Sequence, residues 1–395
     1  MNLLRSKSTI FTIVATILCS IAAAQPFAVG HTTLNVTDPS RNRPVTMEIY
    51  YPADVVGNDV AFTQQPITAP IVTFGHGFVM TWDAYANVWE ELVANGYVVA
   101  FPITETGFSP NHLELGKDLA FVITAMQTES TTPASRFFGR LDSSACVMGH
   151  SMGGGAAFLA VQYNPSIRTM ITLAAAETST SAIGAAASIT IPSLVIAGAN
   201  DCVTPPSAHQ LPMYAALVSS CKTYISIIGA SHCQMADQNT LCSIGEASCT
   251  PTPGITRSNQ HTIINRYLVP WLDYHLKNDC ISGNIFAATV ASDAAVTYQL
   301  SCTICPSTGL FPASSMEEIK IYPNPTSGAL QLQFSAYFNG NVTVLDIYGK
   351  SLKEFKIKDA TEGAFSISDL PEGYYALRIS DHRNLTQFRS LIKSH

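Results

Sequence analysis

The stretch Val147-Met148-Gly149-His150-Ser151-Met152-Gly153-Gly154-Gly155 constrains the fold more than any other part of the chain. An apolar run from Ser143 to Met148 ends in a glycine-flanked serine, and a small-residue helical segment follows from about Gly153 to Asn164. In a G-x-S-x-G setting the serine occupies a sharp strand-to-helix turn, where side chains at Gly149 and Gly153 would collide. That turn lifts the Ser151 hydroxyl above the sheet edge. The backbone N–H of Met152, at the positive end of the helix, then faces the place where an oxyanion would develop. Ser151 is therefore the candidate nucleophile, and its partners must be sought elsewhere in the chain.

Strands are expected around Met47 to Tyr51, Ile71 to Phe74, Tyr97 to Phe101, Thr169 to Ala175, Ser193 to Ala197 and Tyr224 to Ile228. The two prolines of Pro66 to Pro70 make that segment a lead-in, since proline cannot donate to a ladder. Helices are expected from Ala84 to Asn95, with Gly96 as cap, from Leu113 to Met126, and from Gln260 to Lys277, where Ile264, Tyr267, Leu268 and Trp271 share one face. Strands alternating with helices imply right-handed crossovers and an α/β domain built on a mainly parallel, doubly wound sheet. Reactive loops then collect beyond the carboxyl ends of the strands.

Two such strand ends carry an acid and a base. Leu194 to Asp201 delivers Asp201, and Ile227 to His232 delivers His232, in the chain order Ser, Asp, His. His232 would take the Ser151 proton while Asp201 orients the ring and stabilises the imidazolium. Glu177, after the Thr169 strand, is the rival acid. Gly75-His76-Gly77-Phe78 follows an early buried strand, which makes the Phe78 N–H the candidate second oxyanion donor. His76 precedes the serine and is expected to pack within its loop. His209, His261 and His275 receive no role. Only Glu177 to Pro192 separate two strands between which a helical lid could be inserted, so the site is expected to open to bulky substrates.

The chain is 395 residues long, enough for a catalytic domain and a smaller one, and carries 28 acidic against 21 basic residues, a net charge of -7. No basic cluster stands out, so nucleic acid is not an expected partner. Arg5 and Lys7 precede an apolar run from Ile10 to Ile21 and the small residues Ala22 to Ala24, the build of a signal peptide over residues 1–24. Nothing later is long enough for a stable membrane span. The ten cysteines, less Cys19 in the leader, then lie in an exported chain and argue for disulfides.

Cys146, on the strand leading to Ser151, is expected to be the unpaired, buried thiol. Cys202 follows Asp201 and Cys233 follows His232, so a bridge between them would tie the acid and base loops together; Cys242 and Cys249 lie near and leave other pairings open. Cys280 is expected to pair with Cys302 or Cys305. A zinc half-site at Cys302 and Cys305 lacks a second pair, and no metal or cofactor is expected.

From Cys302 to about residue 317 the chain reads as a linker. Beyond it come short alternating strands at Ile319 to Tyr322, Leu330 to Phe334, Val342 to Ile347 and Tyr374 to Ile379, the pattern of a small all-β sandwich over residues 318–395. A carbohydrate-binding module would share that pattern.

With Gly149 to Gly155, Gly75-His76-Gly77-Phe78, Asp201 and Ser231-His232, the segment 25–301 resembles the α/β-hydrolase family of bacterial cutinases and polyester (PET) hydrolases. The resemblance implies the α/β-hydrolase fold, Ser151, Asp201 and His232 as triad, Phe78 and Met152 as oxyanion donors, and the Phe78 ring as one wall of the acyl site. Where those enzymes carry a tryptophan facing the substrate, this chain reads Ala175-Ala176-Glu177-Thr178. An aromatic there is either absent or supplied from elsewhere, with Trp82 as the candidate; Phe78, Trp82 and Glu177 are the expected substrate contacts. The tail, with Tyr322-Pro323-Asn324-Pro325, Asp346 to Lys350, Leu370 to Tyr375 and Lys393, resembles the C-terminal sorting domain of the type IX secretion system. It implies secretion machinery as a partner and an extracellular or cell-surface location. The expected activity is a secreted serine ester hydrolase acting on polyester or cutin-like substrates, possible polyethylene terephthalate included, and on short acyl esters. The alternatives are a chlorophyllase-like or general carboxylesterase or lipase, and a non-catalytic surface binding protein.

Overall fold

A computed structural model describes residues 26–305, 319–346, 350–381 and 386–394. The expected leader at residues 1–24, most of the linker and part of the Asp346 to Lys350 turn lie outside these residues. Two compact units are present, the first ending at Cys305 and the second starting at Pro306.

The first unit is built on ten strands: β1 (Ala28–Asp38), β2 (Arg43–Ala53), β3 (Gly57–Asn58), β4 (Ala69–Gly75), β5 (Val98–Pro102), β6 (Leu141–His150), β7 (Ile167–Leu173), β8 (Ser193–Gly198), β9 (Lys222–Ile227) and β10 (Val296–Ser301). They form one sheet in the order β10-β9-β8-β7-β6-β4-β5-β2-β1-β3. From β5 to β9 all neighbours are parallel, whereas β2 and β10 attach antiparallel at either side. Every residue of β4, β5 and β8 is buried, as a parallel sheet covered on both faces requires.

Among the described residues eight α-helices accompany the sheet: α1 (Ala86–Ala94), α2 (His112–Thr131), α3 (Met152–Ala160), α4 (Ala182–Ala186), α5 (Gln210–Ala216), α6 (Thr240–Glu246), α7 (Arg257–Lys277) and α8 (Cys280–Ser292). One core joins α2, α3, α4 and α5 to alternate strand residues such as Ile71, Ala145 and Val147. The other joins α1, α7 and α8 to the intervening Val72, Phe74, Cys146 and Met148. This alternation follows from the twofold side-chain period of a strand. The expected stripe of α7 is buried here, and its Trp271 indole N–H donates to Thr169 Oγ1 at 2.8 Å. Cys146 is the one free cysteine among the described residues, and burial pushes its thiol pKa far up, which keeps it inert.

The helix α2 runs five residues past its expected end at Met126, to Thr131, and starts on an Asn111 side chain that accepts from the Leu113 and Glu114 N–H groups. The edge strand β10 and helices α4, α5, α6 and α8 are additions to the expected elements. Most of them are short, and their stability comes from packing that a local pattern does not display.

Asp118 of α2 is fully buried and accepts from Arg41 Nη2 at 2.7 Å, Arg43 Nη2 at 2.8 Å and Thr104 Oγ1 at 2.6 Å. Arg41 also reaches Asp38 and Glu114, and Arg43 reaches Glu105 at 2.7 Å. This brace ties the β1–β2 turn, the loop after β5 and the first turns of α2 into one charged network.

The second unit is a five-stranded antiparallel sheet of β11 (Ile319–Tyr322), β12 (Ala329–Leu345), β13 (Ser351–Ser366), β14 (Gly373–Asp381) and β15 (Thr386–Lys393). The segments expected as two strands, Leu330 to Phe334 and Val342 to Ile347, are largely one long strand, β12. Register shifts around Phe338 interrupt its ladder with β13, so the alternation restarts without a turn. Leu332, Val342, Val344, Leu377, Ile379 and Leu391 form the core of this unit. Lys393 donates from Nζ to the carbonyls of Ser368 and Leu370.

Removing the buried Asp118 carboxylate leaves Arg41 and Arg43 short of a partner. The Asp118→Ala variant is expected to lose about 3–5 kcal/mol of stability, measurable as a lowered urea midpoint for the first unit.

Candidate active site

Four strand ends meet at one rim of the sheet. β4 and β6 are adjacent, with Gly75 paired to Gly149, and β8 and β9 are adjacent, with Gly198 paired to Ile227. The loops that follow carry Phe78, Ser151, Asp201 and His232.

Ser151 has a left-handed backbone, φ 55° and ψ -120°, a conformation that costs a non-glycine residue of order 1–3 kcal/mol. The strain is held in place from both sides: the Ser151 N–H donates to Leu173 O at 3.0 Å, and its carbonyl accepts from Gly155 at 3.0 Å and Ala176 at 2.8 Å. A Cβ on Gly149 would stand 2.2 Å from Gly153 O, and one on Gly153 would stand 2.1 Å from Gly75 O. Both glycines are therefore obligatory for the turn, as the sequence pattern implies.

The Ser151 Oγ lies 2.9 Å from His232 Nε2, and His232 Nδ1 lies 2.8 Å from Asp201 Oδ2. All three side chains are buried or nearly so, Ser151 retaining 8% exposure. The structure thus brings together the three residues that the sequence singles out. Asp201 is held by four donors: the Val203 and Thr204 N–H groups at 2.9 and 2.8 Å on Oδ1, with the Thr204 hydroxyl at 2.8 Å and His232 on Oδ2.

Sequence reasoning overlooks several residues that hold this trio. Thr204 is one; an Asp followed three residues later by Thr is a local turn signal that would have revealed it. Gln260 of α7 is another. Its Oε1 accepts from the Ser231 N–H at 3.0 Å and its Nε2 donates to Ser231 O at 2.8 Å, so the residue before His232 is gripped on both backbone groups. Glu246 accepts from the Cys233 N–H at 3.0 Å and Arg257 donates to the Cys233 and Ala236 carbonyls. These contacts span α6 and α7, and no local pattern reports them.

Beside the trio lies a second buried pair. The His150 ring is 4.8 Å from that of His232, and its Nδ1 is 3.1 Å from the Tyr85 hydroxyl, which also accepts from the Gly77 N–H at 2.7 Å. Burial holds the His150 pKa well below the ordinary range, so the ring is neutral. One tyrosine hydroxyl therefore links the loop carrying Phe78 to the residue preceding Ser151. His76 packs within that same loop, as expected, its ring nitrogens 2.8 Å from Gly77 O and Thr104 O.

Met152 opens α3, so its N–H is among those that lack an intrahelical acceptor. Phe78 sits in a turn closed by Met80 N–H donating to Gly77 O at 3.1 Å, and its ring is 45% exposed. Trp82 packs against the buried cluster that includes Tyr50, on which Trp89 stacks at 4.1 Å. Glu177 accepts from the Ile183 N–H at 3.0 Å at the start of α4, and its own N–H donates to His209 Nδ1 at 2.9 Å. Asp201 and not Glu177 is thus the acid joined to His232. His209, given no role from the sequence, fastens the loop after β7.

The disulfides differ from one expectation. Cys202 pairs with Cys249 and Cys233 with Cys242, so no bridge joins the acid and base loops. Asp201 and His232 are already linked by their own hydrogen bond, and each cysteine instead fastens its loop to the α6 region. Cys280 pairs with Cys305, and Cys302 with Cys221, which binds the start of the expected linker into the first unit. Cys221, His275 and Cys302 lie close together, but the Cys221–Cys302 disulfide leaves neither sulfur as a thiolate able to ligate a metal. Among the described residues no helix is long and apolar enough to cross a membrane.

Residues 320–394 match the family of secretion system C-terminal sorting domains, so the second unit is a sorting domain of the type IX kind, which directs export to the exterior or cell surface. In the first unit, similarity extends to cutinase 1 of Thermobifida cellulosilytica, 27% identical over 225 residues that cover 56% of this chain and 74% of the relative. A cutinase of Thermobifida fusca (strain YX) is 27% identical over 56% of this chain and 65% of its own length. A bis(hydroxyethyl) terephthalate hydrolase of Streptomyces coelicolor is 28% identical over 49% of this chain and 56% of its own length. Residues 16–305 match the model of the PET hydrolase-like family, and with the serine-hydrolase geometry of Ser151, His232 and Asp201 in place, the chain belongs to that family.

Proposed function

We propose that this protein is an exported carboxylic ester hydrolase of the cutinase and polyesterase type, with Ser151 as nucleophile, His232 as general base and acid, and Asp201 as the group that orients His232. The observation that carries the reading is the continuous contact from Ser151 Oγ through His232 to Asp201, at 2.9 and 2.8 Å. In the first step His232 Nε2 takes the hydroxyl proton as Oγ attacks the ester carbonyl, and the charge passes to the carbonyl oxygen. The Phe78 and Met152 N–H groups receive that oxyanion. His232 then protonates the departing alkoxide, leaving an acyl-serine. Water, deprotonated by His232, attacks the acyl group, and collapse of the second oxyanion returns the serine and releases the acid.

Between β7 and β8 the described chain forms one helix, the five-residue α4. It offers no large cap, which suits chain ends and loops of polyester or cutin-like polymers as well as short acyl esters. The names of the cutinase and terephthalate ester relatives point the same way. Residues 1–24 serve as leader into the periplasm, and the sorting unit carries the enzyme onward.

Purified protein should release acid from short acyl esters and from a polyester film, and treatment with a fluorophosphonate should add one adduct to the Ser151 peptide. In the Ser151→Ala variant the adduct should vanish and turnover fall by roughly a million-fold; esterase activity surviving that change would refute the triad. Tyr85→Phe removes the acceptor for the Gly77 N–H and should lower kcat roughly tenfold with KM little changed, because a misplaced oxyanion donor weakens only the transition state. Deletion of Ile319 to His395 should leave active enzyme in the periplasm, and unchanged secretion would remove the sorting role.

A further inference from the structure

Two aromatic rings stand exposed to solvent on the loops that follow β4 and β5. Phe78 is 45% exposed and Phe108 79% exposed, yet their centroids are 6.3 Å apart at an interplanar angle of 76°, an edge-to-face pair. Burying such a pair would be favourable, and its exposure leaves apolar ring surface free for a ligand. Phe78 follows β4, the strand next to β6, which leads into Ser151, and Phe108 belongs to the loop that follows β5, on the other side of β4. Both therefore rise from the rim at which Ser151 sits.

The loop carrying Phe108 is fastened at both ends. At its start, Thr104 O lies 2.8 Å from His76 Nε2 and the Thr104 hydroxyl donates to buried Asp118 at 2.6 Å. Glu105, at a left-handed φ of 59°, accepts from Arg43 at 2.7 Å and, across the loop, from the Asn111 N–H at 2.5 Å. At its far end His112 Nδ1 accepts from the Ser179 N–H at 3.0 Å, and burial lowers the His112 pKa toward the neutral, accepting form. The clasp from Glu105 to Asn111 closes a short excursion whose tip is Phe108. A large ring is thus presented by an anchored loop, so little ordering remains to oppose binding.

We infer that Phe78 and Phe108 form a two-ring seat for an aromatic ring in the substrate, which makes Phe108 a specificity residue for esters of aromatic acids. The inference rests on the ester hydrolase reading above. A planar ring placed against the two phenyl rings gains aromatic contact that an aliphatic acyl chain of similar length does not. The preference is therefore carried by ring geometry in addition to apolar area.

The test uses full-length protein and two soluble probes, methyl butyrate and bis(hydroxyethyl) terephthalate, with released acid followed at constant pH. In Phe108→Ala, kcat/KM for the terephthalate diester should fall about tenfold while that for butyrate stays within about twofold. Phe108→Trp should retain the terephthalate rate, whereas Phe108→Leu, apolar but not aromatic, should resemble the alanine variant. An unchanged thermal midpoint would verify that the exposed position is tolerated. Equal losses on both probes, no loss on the diester, a leucine variant as fast as wild type on the diester, or wild type active on butyrate alone would each overturn the role of Phe108. Wild type inactive on both probes would instead remove the ester hydrolase reading, and this inference with it.

Discussion

The approach of α3 to the end of β4 is the contact on which the rest of the site depends. The Gly153 backbone comes so close to Gly75 that a Cβ would stand 2.1 Å from the Gly75 carbonyl oxygen. With a side chain there the helix would have to withdraw, and the turn holding Ser151 at φ 55° would relax. The same approach sets the distance between the loop of Phe78 and the first amide of α3, the two groups assigned to the oxyanion. Nucleophile and electrophilic donors are thus positioned by one helix–strand constraint, expressed in two glycines.

Around that contact each reactive loop is fastened by its own means. Thr204 and the backbone of Val203 hold the Asp201 carboxylate, and Gln260, Glu246 and Arg257 hold the segment around His232. Tyr85 and His150 connect the Phe78 loop to the serine turn. Two disulfides add covalent anchors, Cys202–Cys249 and Cys233–Cys242, and neither crosses between acid and base. The hydrogen bond from His232 to Asp201 is left to set their separation. Catalysis of this type depends on preorganised groups, and these contacts hold the acid and base loops in place.

The charged brace centred on Asp118 extends the same logic outward. It lies away from the triad, yet through Thr104 and Glu105 it anchors the loop after β5, next to the oxyanion loop. A buried carboxylate with two arginines is costly to assemble and more costly to break. Its position suggests that the chain invests stability where a loop near the substrate must stay fixed.

Read alone, the sequence determines the catalytic sequence order, the strand-to-helix serine turn, the alternating architecture and the tail. Each is written in short-range features: glycines required by close backbone approach, apolar runs of strand length, and an acid and a base placed directly after such runs. The buried unpaired Cys146 and the packed His76 are legible for the same reason, since their neighbours in the chain define their surroundings. Disulfide pairing, the grip of Gln260 on Ser231, the Tyr85 bridge and the meeting of Phe78 with Phe108 were decided only in the tertiary structure. They join residues from separate crossovers, and a contact between distant segments depends on loop paths and helix placement that no local periodicity encodes.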